Sequence, residues 1–236
     1  ERMNAQVRGM NVAIRNSNDG ISLAQTAEGA LAKVGDAMQR MRELAVQARN
    51  ATNTNADKDS LDKEFGELAK EIQRVLGGTT FNGRAILAGN SGTQTFQVGA
   101  NTTSNDRIDV VTTDMTASAD ITAVAGTDNT GAGRAVIDNT AVGATIDTVI
   151  ANIDTAVNTV SSERATLGAS QNRFDQVISN LQISVENQSA ARSRITDADF
   201  AIETANLSRA NILQQAGNAM IAQANQIPSQ VLSLLR

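Results

Sequence analysis

From Ile146 to Gln188 the sequence repeats one spacing, four residues and then three, without a slip: Ile146, Ile150, Ile153, Val157, Val160, Arg164, Leu167, Gln171, Phe174, Ile178, Leu181, Val185 and Gln188. A four-three repeat keeps one face of an α-helix turned toward a partner. A helix of that span is about 65 Å long, so its partner must be of similar length. Arg164, Gln171 and Gln188 interrupt the apolar seam at a cost in stability, and read as local widening or register devices rather than as a ligand site.

The first half of the chain supplies the partner. Met3, Val7, Met10, Ile14, Ile21 and Ala24, then Leu31, Val34, Met38, Met41, Leu44 and Ala48, form an amphipathic stripe that stops at the polar stretch Asn50 to Asp59, read as a loop. A second helix carries Leu61, Phe65, Leu68, Ile72, Val75 and Leu76 and closes on Gly77 and Gly78, where a left-handed cap is expected. Between Phe81 and Thr113 the period drops to two, around Phe96 and Val98 and again around Ile108, Val110 and Thr112, which reads as a β-hairpin. Residues 114–145 are mostly Thr, Ala, Gly, Asn and Asp, and read as a short variable lobe. A last helix from Phe200 is apolar on more than one side, so it needs more than one neighbour, and Pro228 within it predicts a kink or break.

Composition agrees with long seams rather than a bulky core. Five Phe are the only aromatics, and Pro228 is the single proline among 236 residues. The chain has no Cys and no His, which excludes disulfides, thiolate nucleophiles, His-based triads and His zinc sites. A net charge of −5, with scattered Lys and Arg, speaks against nucleic-acid binding. No apolar run approaches the roughly 20 residues needed to cross a bilayer, so membrane insertion is not expected. Glu1 stands inside a helical pattern without an initiator Met, which reads as a fragment of a longer protein. The carboxylate pairs are Glu64 with Glu67, on a solvated helix face, and Asp197 with Asp199, as cap or first-turn acids. The run Asp128 to Gly131 lacks the spaced acids of a calcium loop and reads as a turn.

Several segments together resemble one family. NDGISLAQTAEG (18–29), QRMRELAVQ (39–47), FNG (81–83), FQVGAN (96–101), LGASQNRF (167–174), SAARSRITDAD (189–199) and ILQQAGNAMIAQANQIPSQVLSLLR (212–236) look like bacterial flagellin signatures in flagellin order. The resemblance implies a mainly α fold: an elongated antiparallel long-helix bundle or coiled coil with a small β-hairpin region and a short variable lobe. The expected divisions are residues 1–113 as the amino-terminal half of the rod, 114–145 as the lobe, 146–192 as the long carboxy-terminal rod helix, and 193–236 as the joint and terminal inner helix.

The same resemblance implies a structural subunit, not an enzyme, without cofactor or metal, secreted and polymerised into the flagellar filament. Its partners would be other flagellin subunits and the flagellar export chaperone. A host Toll-like receptor would read Arg40, Leu44 and Glu64, although Met41 stands where Val is commoner, and Arg40 and Glu64 would first bridge neighbouring rods. Assembly and chaperone binding would use the tail residues Ile227, Val231, Leu232, Leu234 and Leu235, with NAIP sensors reading the same leucines. The family's amino-terminal inner segment is expected to be missing, leaving residues 200–236 without their mate. Two other readings of this architecture are a hook-filament junction protein and a cell-surface receptor or adhesin that uses residues 114–145.

Overall fold

The computed structural model describes residues 1–197 and 200–234, with residues 225–234 described by their backbone alone. The chain divides into two units, Glu1–Asn187 and Gln188–Arg236.

The first unit begins with two helices, α1 (Arg2–Ala48) and α2 (Asn55–Gly78). At about 1.5 Å per residue α1 is roughly 70 Å long. The turn between them is shorter than the polar run Asn50 to Asp59 suggests, because Thr54 caps α2. Its hydroxyl accepts from the Asp57 N–H while Asp57 accepts from the Thr54 N–H at 2.9 Å, a reciprocal box that starts the helix five residues early. The end of α2 also differs from expectation. Gly77 and Gly78 stay helical, and the turn is closed at Thr79, whose N–H and hydroxyl both donate to the Val75 carbonyl.

Two antiparallel strand pairs follow. β1 (Thr80–Phe81) and β2 (Arg84–Ala85) flank the Asn82–Gly83 turn, and β3 (Gly92–Gln97) pairs with β4 (Arg107–Thr112), placing Phe96 opposite Ile108. On β4 the alternation is complete, with Ile108, Val110 and Thr112 buried between exposed neighbours. The short helix α3 (Ala119–Ala125) leads to α4 (Gly143–Thr196).

Helix α4 runs antiparallel to α1. Arg49 meets Asp147, Arg42 meets Asp154, and Glu28 meets both Arg164 and Gln171. The buried face of α4 is offset from the predicted seam. Ile146, Ile153, Val160, Leu167 and Phe174 are buried as expected, but Val149, Ala156 and Ser170 are buried between them while Ile150 and Val157 are half-buried. Ile178, Leu181 and Val185 are also half-buried. The rotation follows from a second neighbour: α4 is held on another side by Thr113, whose N–H donates to Glu163, and by Asp120, which accepts from the Thr159 hydroxyl at 2.6 Å. Arg164 sits at the surface and Gln171 is half-buried, both on Glu28, as polar register contacts between helices.

The closest approach of α4 to a glycine of α1 is at Gly20. A Cβ there would lie 2.5 Å from Cζ of Phe174, so only hydrogen fits under the ring. Phe96 meets the same ring edge to face, with centroids 5.6 Å apart at 87°. On α1 the face turned inward here is Ala13, Ser17 and Gly20, while Ile14 and Ile21 are only half-buried. Small residues let the fully buried Phe174 close against α1.

Residues 114–145, expected as a lobe, contribute Met115, Ile121, Val124, Ala125, Ile137 and Ala141 to the same buried core. Carboxylates tie this segment to α2. Asp62 accepts from both terminal nitrogens of Arg134, at 2.9 and 2.6 Å, and from the Ile137 N–H at 2.9 Å, while Asp59 accepts from the backbone and side chain of Asn139. Gly66 leaves room for the guanidinium, which a Cβ would meet at 3.1 Å. Asp128 accepts from Thr130 and Ala132 within its own turn, the role expected for it. Burial alone would raise the Asp62 carboxyl, but the Arg134 hydrogen bonds, the Ile137 amide and the guanidinium charge outweigh it and hold the carboxyl below its ordinary value.

The second unit contains α5 (Phe200–Leu234). Its side chains from Phe200 to Ala224 are exposed on all sides. Of the kink or break expected at Pro228, the break does not occur: the helix continues through it, since proline removes only one hydrogen bond from the ladder. Asp199 lies outside the described residues. Asp197, expected at the start of α5, instead closes the end of α4: its N–H donates to the Ser193 carbonyl, and its carboxylate accepts from the Ser193 and Thr196 hydroxyls.

Two predictions follow from these contacts. Phe174→Ala removes the ring shared by α1 and β3 and costs about 3–5 kcal/mol in urea unfolding of the first unit. Because the Asp62 carboxyl lies below its unfolded value, its contribution is complete above about pH 4 and is lost as pH falls through the folded value. Asp62→Asn therefore lowers stability at neutral pH, and its deficit against wild type shrinks on acidification, as chemical unfolding across a pH series would show.

Candidate assembly and recognition surfaces

The helical hairpin of α1 and α2 sets position 40 opposite position 64. Arg40 Nε donates to Glu64 Oε1 at 2.8 Å, and another guanidinium nitrogen reaches Glu43 at 2.8 Å. The two residues expected to bridge neighbouring molecules thus meet within one chain. The short turn between the helices leaves them facing each other one helix diameter apart. Hydrogen bonds that Arg40 donates to Glu64 and Glu43 raise its guanidinium still further above its ordinary value, so its charge is permanent.

Leu44 has a different place. It is 0% exposed, in the core with Met41 and Ala45. Any partner reading this face meets Arg40, Glu43 and Glu64 at the surface and Leu44 only through the shape it supports. Further along α1, Arg42 and Arg49 turn toward α4 and pair with Asp154 and Asp147 at 2.6 and 2.8 Å. The two pairs lie a heptad apart on each helix and fix the antiparallel register. Glu67, the other carboxylate of the pair noted in the sequence, bonds Lys70 on its own helix at 2.8 Å.

The other surface belongs to α5. Phe200 is 83% exposed, and Leu207, Ile212, Leu213, Met220 and Ile221 are each 62% exposed or more. Leu207 and Ile221 fall a whole number of heptads apart, while Leu213 and Met220 add a second stripe. Of the expected tail residues, the side chains of Ile227, Val231, Leu232 and Leu234 lie outside the described residues, as does all of Leu235. Among the described residues no group of three or more Asp or Glu could hold a metal ion. No described helix is long and apolar enough to cross a membrane.

Comparison with known proteins places this arrangement. A family model described as the bacterial flagellin N-terminal helical region matches residues 1–92, and one described as the C-terminal helical region matches residues 150–235. A flagellin from Halalkalibacterium halodurans is 47% identical over the whole of this chain and 82% of its own length. The chain belongs to the bacterial flagellins. A flagellin of Bacillus subtilis is 42% identical, again over the whole chain and 84% of that protein. The crystal structure of Bacillus cereus flagellin superposes with a TM-score of 0.58 at 32% identity, covering 75% of this chain and 94% of that one. A putative flagellar hook-associated protein from Vibrio parahaemolyticus, 13% identical with a TM-score of 0.52, shares the fold alone.

This flagellin is a structural subunit of the flagellar filament, located outside the cell, and not an enzyme. Sequence reasoning missed Asp62, Arg134 and Asp59 as organising residues. The signal was faint: Asp59 and Asp62 stand one turn apart on α2, but their partners lie more than 70 residues away.

A mutational contrast separates the buried and exposed parts of the α1 surface. Leu44→Ala costs about 2–5 kcal/mol by opening a cavity. Arg40→Ala, in an exposed pair, leaves the melting temperature close to wild type. Differential scanning calorimetry of both variants checks the difference.

Proposed function

We propose that the exposed apolar band of α5 is the surface through which this flagellin subunit joins its filament. The exposure of Phe200, Leu207, Ile212, Leu213, Met220 and Ile221 carries this reading. A helix apolar on several sides is costly to leave in water and gains when identical copies cover every side, so burial of α5 and assembly are coupled. Contacts between unlike surfaces of identical subunits, when they do not close a ring, give an open helical filament. The tail residues Ile227, Val231, Leu232, Leu234 and Leu235 extend the same apolar pattern, and are the segment an export chaperone and NAIP sensors would bind.

The Arg40, Glu43 and Glu64 cluster is the surface a host Toll-like receptor would read, with Leu44 holding α1 in place beneath it. The charges first serve the α1–α2 contact inside the subunit, and a receptor would use a surface the fold already needs. In a reporter-cell assay, Arg40→Ala reduces signalling while folding is retained. Signalling equal to wild type would remove the receptor assignment.

The assembly reading is tested with Ile212→Asp combined with Leu213→Asp in the full chain, seeded with flagellar fragments. Wild type elongates the seeds under electron microscopy, and the double variant does not, although the unfolding transition of its first unit is unchanged. Filaments of normal length from the variant would refute the role given to α5.

A further inference from the structure

We propose that Asn82 is a site of spontaneous deamidation, which converts the turn between β1 and β2 from asparagine to isoaspartate and aspartate as the protein ages. Asn82–Gly83 is the single Asn–Gly step in the sequence. It is exposed, with φ of 50° at Asn82 and 77° at Gly83, and nothing lies within 4 Å of where a Gly83 Cβ would be.

The deciding feature is the amide that follows the asparagine. Among the described residues the Gly83 N–H meets no acceptor. At four other loop asparagines, Asn53, Asn90, Asn129 and Asn139, the amide that follows is occupied. Ser91 donates to the Ala88 carbonyl at 2.6 Å, Thr130 to Asp128 at 2.8 Å, Thr140 to Asp138 at 2.9 Å and Thr54 to Asp57 at 2.9 Å. At Asn50 and Asn101 the next residue is Ala or Thr, whose side chain hinders ring closure where Gly83 has none. The Asp19–Gly20 step, which could form the same ring, is locked inside α1 beneath Phe174. Arg84 adjoins the Gly83 nitrogen in sequence, and its positive charge favours the anionic amide that must form.

The chemistry needs only hydroxide and water. Hydroxide removes the Gly83 amide proton, and the nitrogen attacks Cγ of Asn82. The Cγ–N bond of the side-chain amide breaks, and ammonia leaves after taking a proton from water, giving a five-membered succinimide. Water then opens the ring. Cleavage at the Cα-side carbonyl leaves the main chain running through Cγ as isoaspartate, whereas cleavage at the other carbonyl gives aspartate. No electrons are exchanged. Ring closure requires the turn to open, and a ladder of only two residue pairs, Thr80 with Ala85 and Phe81 with Arg84, resists this weakly. The isoaspartate product lengthens the main chain by a methylene beside Ile86 and Leu87, which are both fully buried.

The test ages the full folded chain in mildly alkaline and mildly acidic buffer. Isoaspartate is then labelled with isoaspartyl methyltransferase and S-adenosylmethionine and located by peptide mapping. Label accumulates in the peptide containing Asn82, several-fold faster in alkaline buffer, with ammonia released in step. Asn82→Gln, which would need a six-membered ring, abolishes it. Equal labelling of the peptides around Asn90, Asn129 and Asn139 would overturn the proposal, because the free amide would then not be the cause. So would an unlabelled folded chain whose denatured form is labelled, because the turn would then hold Asn82 against closure.

Discussion

How closely α1 and α4 can approach decides the rest of the first unit. At Gly20 the backbone of α1 lies against the Phe174 ring with no room for a methyl group, and Phe96 from the hairpin closes the ring from its edge. One glycine, one phenylalanine on α4 and one on β3 therefore join two long helices and a sheet at a single point. Dispersion and burial at that point are worth more than any exposed ion pair along the same helices, because water is excluded and the fit is close. The arginine pairs at Asp147 and Asp154 then choose among the registers that packing allows.

A second constraint is electrostatic. Few bulky side chains occupy residues 114–145, and those present are buried together with the helices. What brings them there is carboxylate chemistry: Asp62 and Asp59 from α2 take hydrogen bonds from the segment's backbone, Asp62 also holds Arg134, and Glu163 from α4 holds the Thr113 amide just before it. Removing backbone groups from water is costly unless they are bonded. Ionised acids at the right turn of α2 meet that cost, and the segment becomes part of the core.

The two units treat their apolar side chains differently. In the first, apolar side chains are covered by the chain itself and polar pairs fix the alignment. In α5 the apolar side chains face outward. An outward-facing apolar helix suits a protein whose final environment is other copies of itself. A polymer subunit that covered all of its own apolar surface would have little left with which to hold its neighbours.

The long helices, the hairpin and the absence of catalytic chemistry were legible because each is written in local spacing or composition: the four-three repeat from Ile146, the two-residue period around Phe96, the missing His and Cys. The start of α2 and the helical state of Gly77 and Gly78 were less legible, since caps depend on single hydrogen bonds such as Thr54 with Asp57. Whether Arg40 and Glu64 face each other or another molecule was not legible at all, whereas Leu44 stood in the apolar stripe and is buried as that stripe implies. The linear pattern determined which segments are helical and which faces are apolar, because periodicity maps directly onto a helix surface. Only the folded structure decided which neighbour each face meets, that the Asp62–Arg134 pair draws residues 114–145 inward, and that Ala13, Ser17 and Gly20 rather than Ile14 and Ile21 are fully buried, with Gly20 against Phe174 of α4. Those outcomes depend on side-chain volumes and charges brought together from positions more than 70 residues apart, and no local spacing records them.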